Sequence, residues 1–258
     1  MADFTDRVII LSGATGGFGQ EAARLFARAG ARLVLSDLDA DALDALATEL
    51  GGECETCAGD ISDPELSERL VERALSRFGR LDVAVNNAGA VHDLMFLPQT
   101  PLNVARKIID VDLMGVFFAM RAQLPALEKQ FRDTGETSVI VNVASVAGVV
   151  GAPRLSVYAA AKHGVVGLTK SAAIEYARRG VRVNALCPSF ARTAMVNDFL
   201  DKAGDEREAA EAGLVRAIPM GRLAEVDEVI AGLAFLADPA SSFVTGHTLQ
   251  VDGGLSAA

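Results

Sequence analysis

The chain has 258 residues, 50% of them hydrophobic and 22% charged, a balance that fits a folded domain with a large core and excludes a disordered chain. The formal net charge of −10 argues against binding to nucleic acid or to an anionic membrane surface, because their phosphates carry the same sign. No apolar run approaches the roughly 18 residues of a membrane helix, and the first, Val8 to Leu11, is too short for a signal peptide, so we expect a cytoplasmic protein.

Short apolar runs alternate with longer helical patterns along the chain. The runs predict seven strands, which are Arg7–Ser12, Arg32–Asp37, Glu53–Ala58, Leu81–Asn86, Ser138–Val143, Val181–Leu186 and Thr248–Val251. Apolar residues three and four apart predict the helices, which are Gly17–Ala29, Asp41–Leu50, Pro64–Phe78, Asn103–Arg132, Ser156–Arg179 and Glu225–Leu236. We expect Gly115 and Pro125 to bend the long helix that contains them.

This alternation predicts the fold class. Strands that are apolar throughout and separated by helices indicate a parallel sheet that is covered on both faces. Right-handed crossovers then give a doubly wound α/β sheet of the Rossmann type. We find no linker or repeat, so the prediction is one domain over residues 1–258.

A glycine-rich turn, residues 12–19, lies between the first predicted strand and the first predicted helix. Glycines let backbone approach a pyrophosphate, and the helix N-terminus adds free N–H groups and a positive dipole end. Any tight turn can use glycines for shape alone, but this position favours a dinucleotide site. The candidate cofactor ligands in the turn are Gly13, Thr15, Gly17, Phe18 and Gly19.

Asp37 ends the second predicted strand. A carboxylate there can accept hydrogen bonds from the adenosine ribose and would repel the additional phosphate of NADP. No Lys or Arg lies within the glycine turn or directly after Asp37, so the sequence predicts NAD as the cofactor. The alternative is a solvated loop acid, since Asp39 and Asp41 follow closely.

Three side chains form a candidate catalytic set. Tyr158 and Lys162 are four residues apart on a predicted helix and therefore share a face. A free phenol titrates near pH 10, and a neighbouring ammonium stabilises the phenolate, which can then act as a base. Ser145 follows an apolar strand, at the sheet edge where ligands bind, and its hydroxyl can hold the substrate oxygen. By itself, the Tyr–Lys spacing is more typical of a surface pair on an amphipathic helix, and its combination with the glycine turn and Ser145 is what favours a catalytic set.

Cysteine and histidine do not indicate a metal site. Cys54 and Cys57 form a C-x-x-C pattern, but no second pair stands at useful spacing. Positions three apart on a strand also point to opposite faces. His92, His163 and His247 show no ligand spacing, so we predict no metal.

The motifs together resemble the short-chain dehydrogenase/reductase family, from position 13 to position 254. The matching pieces are Gly13-x-x-x-Gly17-x-Gly19, Asp60-Ile61, Asn86-Asn87-Ala88-Gly89, Ser145, Tyr158-x-x-x-Lys162, Pro188 with Thr193, and Val251-Asp252-Gly253-Gly254. The resemblance implies an extended Rossmann fold and hydride transfer between a nicotinamide cofactor and a carbon bearing a hydroxyl or a ketone. It says little about the substrate.

The resemblance also implies roles for individual residues. Asp60 and Ile61 would lie beside the adenine ring. Asn87, Ala88 and Gly89 would line the cofactor and steady the fourth strand.

At the nicotinamide end, the resemblance implies that Lys162 hydrogen-bonds the ribose as well as acting on Tyr158, which is itself a candidate cofactor-binding residue. The segment from Pro188 to Thr193 would cover the nicotinamide, with Thr193 near its carboxamide.

Asp112 departs from the family pattern, which has asparagine at this position. The family's asparagine sits at a helix irregularity and helps to hold a water that joins the lysine to solvent. If the backbone carbonyl does that work, Asp112 is a tolerated replacement. If the side chain matters, a carboxylate near Lys162 favours the charged form of the lysine and alters the proton relay. We include Asp112 among the candidate catalytic residues.

The substrate pocket is expected beyond Ser145 and under a lid formed by residues 190–217. The expected lining is mostly apolar and consists of Val146, Val149, Val150, Met195, Val196, Phe199 and Leu200, bordered by His92, Met95 and Phe96. Such a lining fits a small or medium alcohol or ketone, although several of these residues could instead pack in the core.

The leading hypothesis is an NAD-dependent dehydrogenase of a secondary alcohol, polyol or sugar. An NADPH-dependent 3-oxoacyl reductase is the second hypothesis, and a non-catalytic dinucleotide-binding sensor is the third. The resemblance further implies a homotetramer, or at least a dimer, formed through the two long helices that carry Asp112 and Tyr158.

Overall fold

The structure, a computed structural model, describes residues 3–257 apart from the side chain of Met195, whose expected place in the pocket lies outside this description. One parallel sheet runs through the molecule in the order β3-β2-β1-β4-β5-β6-β7. Its strands are β1 (Val8–Ser12), β2 (Arg32–Ser36), β3 (Cys54–Thr56), β4 (Val83–Asn86), β5 (Ser138–Val143), β6 (Val181–Pro188) and β7 (Thr248–Val251). The doubly wound sheet predicted from the sequence is thereby confirmed.

Helices cover both faces of the sheet. They are α1 (Gly17–Arg28), α2 (Ala40–Leu50), α3 (Pro64–Phe78), α4 (Leu102–Ile109), α5 (Gly115–Thr134), α6 (Ser156–Tyr176), α7 (Ala194–Asp201), α8 (Arg207–Val215) and α9 (Val226–Ala237). One apolar core lies between the sheet and α3, α5 and α6, and a second lies between the sheet and α1, α2 and α9. The central strands contribute to both cores, which explains why their sequences are apolar throughout.

Local signals in the sequence account for the helix ends. The side chains of Asp39 and Asp63 accept hydrogen bonds from backbone N–H groups in the first turns of α2 and α3. Pro64 begins α3, where its missing N–H has no intrahelical partner to lose. Gly79 follows α3 with a φ of 78°, a conformation that favours glycine.

The region predicted as one long helix differs in its centre. A π-helical turn, Asp110–Met114, separates α4 from α5, whereas we expected bends at Gly115 and Pro125. Pro125 instead lies within the unbroken range of α5. The third strand is also shorter than predicted, because β3 pairs with β2 over only three residues at the sheet edge.

Residues 190–217, the segment expected to form the lid, contain two helices, α7 and α8, where the residue pattern predicted no secondary structure. The first of these helices is capped by Thr193, whose side chain accepts a hydrogen bond from the backbone N–H of Val196. No helix within residues 3–257 is long and apolar enough to cross a membrane.

The strand order reverses between β1 and β4. In a doubly wound sheet the crevice at such a switch point, at the carboxyl ends of the strands, is where ligands bind. The loops that follow β1, β4 and β5 carry the glycine turn, Asn87 and Ser145 to this edge.

Candidate active site

The glycine turn is packed too closely to accept side chains at two positions. Gly13 has a φ of +66°, and a Cβ atom there would lie 2.8 Å from the backbone nitrogen of Ala88. A Cβ atom on Gly19 would overlap the carbonyl oxygen of Gly13. The backbone of the turn is therefore not covered by side chains at these positions, and it lies beside the N-terminus of α1. This arrangement suits a pyrophosphate.

Asn87 joins the end of β4 to this turn. Its side-chain nitrogen Nδ2 donates hydrogen bonds to the carbonyl oxygens of Ser12 and Gly13, at 3.2 and 2.9 Å. The Ser12 hydroxyl accepts from the backbone N–H groups of Asn87 and Ala88, at 3.2 Å each. These bonds fix the two sides of the crevice relative to each other.

Asp37 is held in place by Thr15. One carboxylate oxygen, Oδ2, accepts from the Thr15 backbone N–H at 2.9 Å and from the Thr15 hydroxyl at 2.6 Å. The other oxygen, Oδ1, accepts from the backbone N–H of Leu38 at 2.8 Å. The carboxylate is therefore held in one orientation by local hydrogen bonds, and it keeps lone pairs that ribose hydroxyls could use.

These contacts test whether a dinucleotide fits. The bare turn, the free N–H groups at the start of α1 and a fixed carboxylate at the end of β2 together offer the chemistry that its pyrophosphate and ribose require. Gly17 faces the start of the lid, since a Cβ atom there would lie 3.1 Å from the Thr193 side chain. The predicted ligands at 13–19, Asp37 and Thr193 thus meet in one region.

Asp60 and Ile61 make local contacts. The Asp60 carboxylate accepts from the backbone N–H and the hydroxyl of Ser62, at 2.9 and 2.7 Å, and these bonds lower the pKa of Asp60. Ile61 packs against Gly115, where a Cβ atom would lie 3.1 Å from the Ile61 side chain. Both residues lie beyond the end of β3, on the same side of the crevice as Asp37.

Ser145 lies two residues beyond the buried end of β5. Its oxygen accepts a hydrogen bond from the backbone N–H of Ala147 at 3.1 Å. The hydroxyl proton is therefore free to be donated to another oxygen. The side chain is half-buried, so it can meet a ligand at this edge of the sheet.

Lys162 lies deep in the site beside Tyr158. The lysine is only 4% exposed, and its Nζ atom donates to the carbonyl oxygen of Val143 at 3.2 Å. Nζ lies 5.6 Å from the centre of the Tyr158 ring, as expected for residues one turn apart on α6. The alternative of a surface pair is wrong, because a surface lysine would keep its ammonium in water.

Asp112 faces the same lysine from the π-helical turn. Its side chain is fully buried, and Oδ2 lies 3.9 Å from Nζ of Lys162. The other oxygen, Oδ1, accepts from the backbone N–H of Ala90 at 2.7 Å. Burial is the main influence on this carboxyl and raises its pKa, although the Lys162 charge and the Ala90 bond act in the opposite direction. Gly89 leaves the room that both side chains occupy.

Pro188 ends β6, two residues before the segment that is expected to form the lid. Ser189 ties this end of the strand to β7 by donating its backbone N–H to the carbonyl oxygen of Val251 at 3.2 Å. The neighbouring Cys187 is fully buried, and burial raises the pKa of its thiol to about 11. This thiol is therefore protonated and inert at neutral pH.

Sequence reasoning missed a buried amide network behind the site. Asn86 donates to Asn142 at 2.8 Å and exchanges hydrogen bonds with Gln123, and Asn142 donates to the Thr169 hydroxyl at 2.9 Å. The network joins the ends of β4 and β5 to α5 and α6, the helix that carries Tyr158. The available signal was an asparagine within each of two otherwise apolar strands, since a buried polar group needs partners.

The expected pocket residues separate into two groups. Val149, Val150 and Val196 are half-buried and available to a ligand, whereas Leu200 is fully buried in the lid and packs as a core residue. The expected border residues differ as well, since His92 is buried and Phe96 is 59% exposed beneath the Arg154 guanidinium. No cluster of three or more potential metal ligands occurs among residues 3–257.

A doubly wound sheet with a dinucleotide crevice and an adjoining Ser, Tyr and Lys set defines a class of nicotinamide-dependent oxidoreductases. Comparison with known proteins agrees with this class, since the family described as "Enoyl-(Acyl carrier protein) reductase" matches residues 13–256. The chain belongs to the short-chain dehydrogenase/reductase family.

Individual relatives cover nearly the whole chain. It is 37% identical over 253 residues to cyclohexanol dehydrogenase of Acinetobacter sp. (strain SE19), covering 97% of this chain and 95% of the relative. It is 37% identical over 257 residues to 2,5-dichloro-2,5-cyclohexadiene-1,4-diol dehydrogenase of Sphingobium indicum, covering all of both chains. The structure is similar to that of 3-ketoacyl-(acyl-carrier-protein) reductase from Brucella melitensis complexed with NADH, with a TM-score of 0.90 and 35% identity, covering 98% of this chain and 100% of that one.

Proposed function

We propose that the protein is an NAD-dependent dehydrogenase that interconverts an alicyclic secondary alcohol and its ketone. The observation that carries this proposal is the buried Lys162 ammonium beside Tyr158, next to the end of the strand that positions Ser145. A lysine is rarely buried unless it is paired or functional. Here it serves a phenol at the edge of the sheet where ligands bind.

The reaction assigns one task to each side chain. Ser145 donates its free hydroxyl proton in a hydrogen bond to the substrate oxygen and so orients it. Tyr158, as the phenolate, takes the hydroxyl proton while the carbon–oxygen bond becomes a carbonyl and the carbon loses a hydride. Lys162 stabilises the phenolate by its charge. A nicotinamide held by the glycine turn and Asp37 would supply the hydride acceptor, and in the reverse direction the hydride donor.

Asp37 supports NAD over NADP. Three hydrogen bonds hold its carboxylate at the end of β2. A fixed negative charge there favours a ribose with free hydroxyls and repels a 2′-phosphate. The solved relative that holds NADH agrees with this preference.

The substrate class rests on the pocket and the relatives. The expected lining next to Ser145 is aliphatic, including the half-buried Val149 and Val150, and suits a compact hydrocarbon ring. Two relatives have names that describe secondary alcohols on six-membered carbon rings. We therefore propose a ring of about that size.

Two measurements test the proposal. Titration with NADH and NADPH, followed by nucleotide fluorescence at fixed salt, should give tighter binding of NADH. NAD should then be reduced in the presence of cyclohexanol, with 2-hexanol, an acyclic secondary alcohol of equal carbon number, as the matched control. Tighter binding of NADPH would contradict the proposed NAD preference. An equal rate of NAD reduction with the acyclic alcohol would contradict the proposed cyclic substrate.

A 3-oxoacyl reductase is the second candidate, because the solved relative from Brucella melitensis carries that name. Turnover of an acetoacetyl thioester with NADPH at a higher kcat/KM than cyclohexanol with NAD would favour it. Asp37 argues against this outcome because of its charge.

We also propose assembly into a dimer or tetramer through α5 and α6. These helices expose large apolar side chains, with Phe117 40% and Ile174 83% exposed, and such groups commonly mark protein interfaces. Light scattering at low micromolar concentration tests this, and a monomer would contradict it.

A further inference from the structure

One carboxylate oxygen in the active site has no partner. Oδ2 of Asp112 is buried and receives no hydrogen bond among the described residues, while Oδ1 accepts from Ala90. A buried carboxylate oxygen without a donor is costly unless a charge compensates it. The nearest such charge is Lys162, whose Nζ lies 3.9 Å from that oxygen.

The surroundings of Asp112 contain few other charges. Helix α6 contributes Lys162 and, beside it, the Tyr158 phenol. The loop after β4 contributes only the backbone N–H of Ala90 and the space at Gly89. On its own turn, Asp110 is exposed, and in the preceding helix Arg106 and Lys107 are exposed as well. Lys162 is thus the charged group that acts on Asp112.

We propose that Asp112 is a positioning residue whose carboxylate is the counter-charge of Lys162 and moves the working pH range of the site toward alkaline values. The inference rests on the proposed function, in which the Tyr158 phenolate accepts the proton of the alcohol. The Lys162 ammonium favours that phenolate, and a carboxylate 3.9 Å from the ammonium cancels part of its field.

Asp112→Asn isolates this effect because the amide has the same shape and no charge. The Val143 carbonyl still holds Lys162 in the variant, and the amide oxygen can still accept from Ala90. In alcohol oxidation, we expect the acid limb of the kcat/KM profile to move about one unit to lower pH. NADH affinity should stay within about twofold, since Asp112 lies away from the glycine turn.

Asp110→Asn is the matched control, because it removes the same charge from an exposed position on the same turn. Its acid limb should coincide with that of the wild type. An unchanged profile in Asp112→Asn, or an equal shift in both variants, would overturn the proposal. If Asp112→Asn does not fold, Asp112→Ser takes its place with the same expectation.

A second measurement needs no turnover. Since the pKa of Asp112 is raised above its ordinary value of 3.8, the folded protein holds that proton more tightly than the unfolded chain. The stabilisation is present below about pH 4 and is lost as the pH rises through the raised value. Urea unfolding from pH 4 to 8 should therefore show the wild type losing stability relative to Asp112→Asn.

The same experiment in a Lys162→Gln background tests the pairing. Removing the ammonium should move the pH window of that stability difference upward, because the Lys162 charge lowers the pKa of Asp112. Parallel unfolding curves or an unmoved window would overturn the pairing. If the wild type oxidises no alcohol, the proposed function fails, while these curves still decide whether the pair exists.

Discussion

Tyr158 is the residue on which the proposed chemistry depends most. We expect Tyr158→Phe to lower kcat by about a hundredfold or more while leaving NADH affinity unchanged, because only the proton-accepting oxygen is lost. Tyr176→Phe is the control, since it removes the other tyrosine hydroxyl of the chain from the same helix. Steady-state kinetics and fluorescence titration measure both. Full activity in Tyr158→Phe would exclude the tyrosine as the acid–base group.

Thr15 is expected to control cofactor choice through Asp37. Its hydroxyl donates to the carboxylate at 2.6 Å. Loss of such a hydrogen bond changes an equilibrium constant by a factor of roughly 2 to 10. Thr15→Val should lower the preference for NADH over NADPH by about that factor, because the carboxylate is then less firmly held. Thr15→Ser keeps the hydroxyl and should keep the preference. Dissociation constants for both nucleotides in both variants provide the test.

Spacing placed Tyr158 and Lys162 on one helix face and Ser145 at the ligand edge of the sheet, because positions four apart share a helix face and parallel strands end at one edge. Their joint occurrence with the glycine turn, rather than the spacing alone, indicated a site. The pairing of Thr15 with Asp37 was not predictable, since it depends on side-chain rotamers across a turn and a strand. For Asp112, the sequence indicated an anomaly, while its burial and its distance from Lys162 required the fold.

At the level of elements, the glycine turn offers a sharp comparison between two of its own glycines. A Cβ atom on Gly19 would overlap the Gly13 carbonyl oxygen, whereas one on Gly16 would lie at an ordinary 3.5 Å from that oxygen. Gly19→Ala should therefore reduce NADH affinity at least about tenfold and destabilise the fold by roughly 1–3 kcal/mol. Gly16→Ala should change both by much less. Calorimetric unfolding and nucleotide titration measure the pair, and equal effects would contradict this packing.

The elements themselves were largely predictable. The bounds of α3, β5 and β7 match to the residue, the predicted helix Asn103–Arg132 is divided into α4 and α5, and the other predicted elements are shifted at their ends. The residue pattern did not predict the π-helical turn at 110–114, because one additional residue in a helix leaves almost no compositional trace. The lid helices were missed because they are short and bear few buried side chains, so their apolar periodicity is weak.

For the whole molecule, we expect acid to destabilise the fold through carboxylates with a lowered pKa. Burial works to raise the pKa of Asp252, but hydrogen bonds from Ser256 and Gly254 outweigh it and lower the value below 3.8. Such a group adds stability above about pH 4, and this stability is lost as the pH falls through the lowered value. Asp252→Asn should cost about 1–2 kcal/mol at pH 7, with the difference shrinking below pH 4.

Denaturant unfolding across pH 2 to 7 measures this effect. Asp205→Asn, at an exposed position in the lid, removes an equal charge and should leave the unfolding free energy nearly unchanged. A difference for Asp252→Asn that stays constant down to pH 2 would contradict the assignment.

The strand order has a consequence for the chain as it is made. Ile9 of β1 pairs with Val83 of β4, so during translation β1 can pair with β2 long before its second neighbour has left the ribosome. Until then the backbone N–H and C=O groups along one edge of β1 are unpaired and the strand is apolar on both faces. Such an edge can pair with another chain and promote aggregation. Nascent chains that end before β4 should therefore need a chaperone more than longer ones do. The β1–β4 pair, whose carboxyl end borders the crevice proposed for the cofactor, is therefore the last strand pair in the first half of the sheet that can form during synthesis.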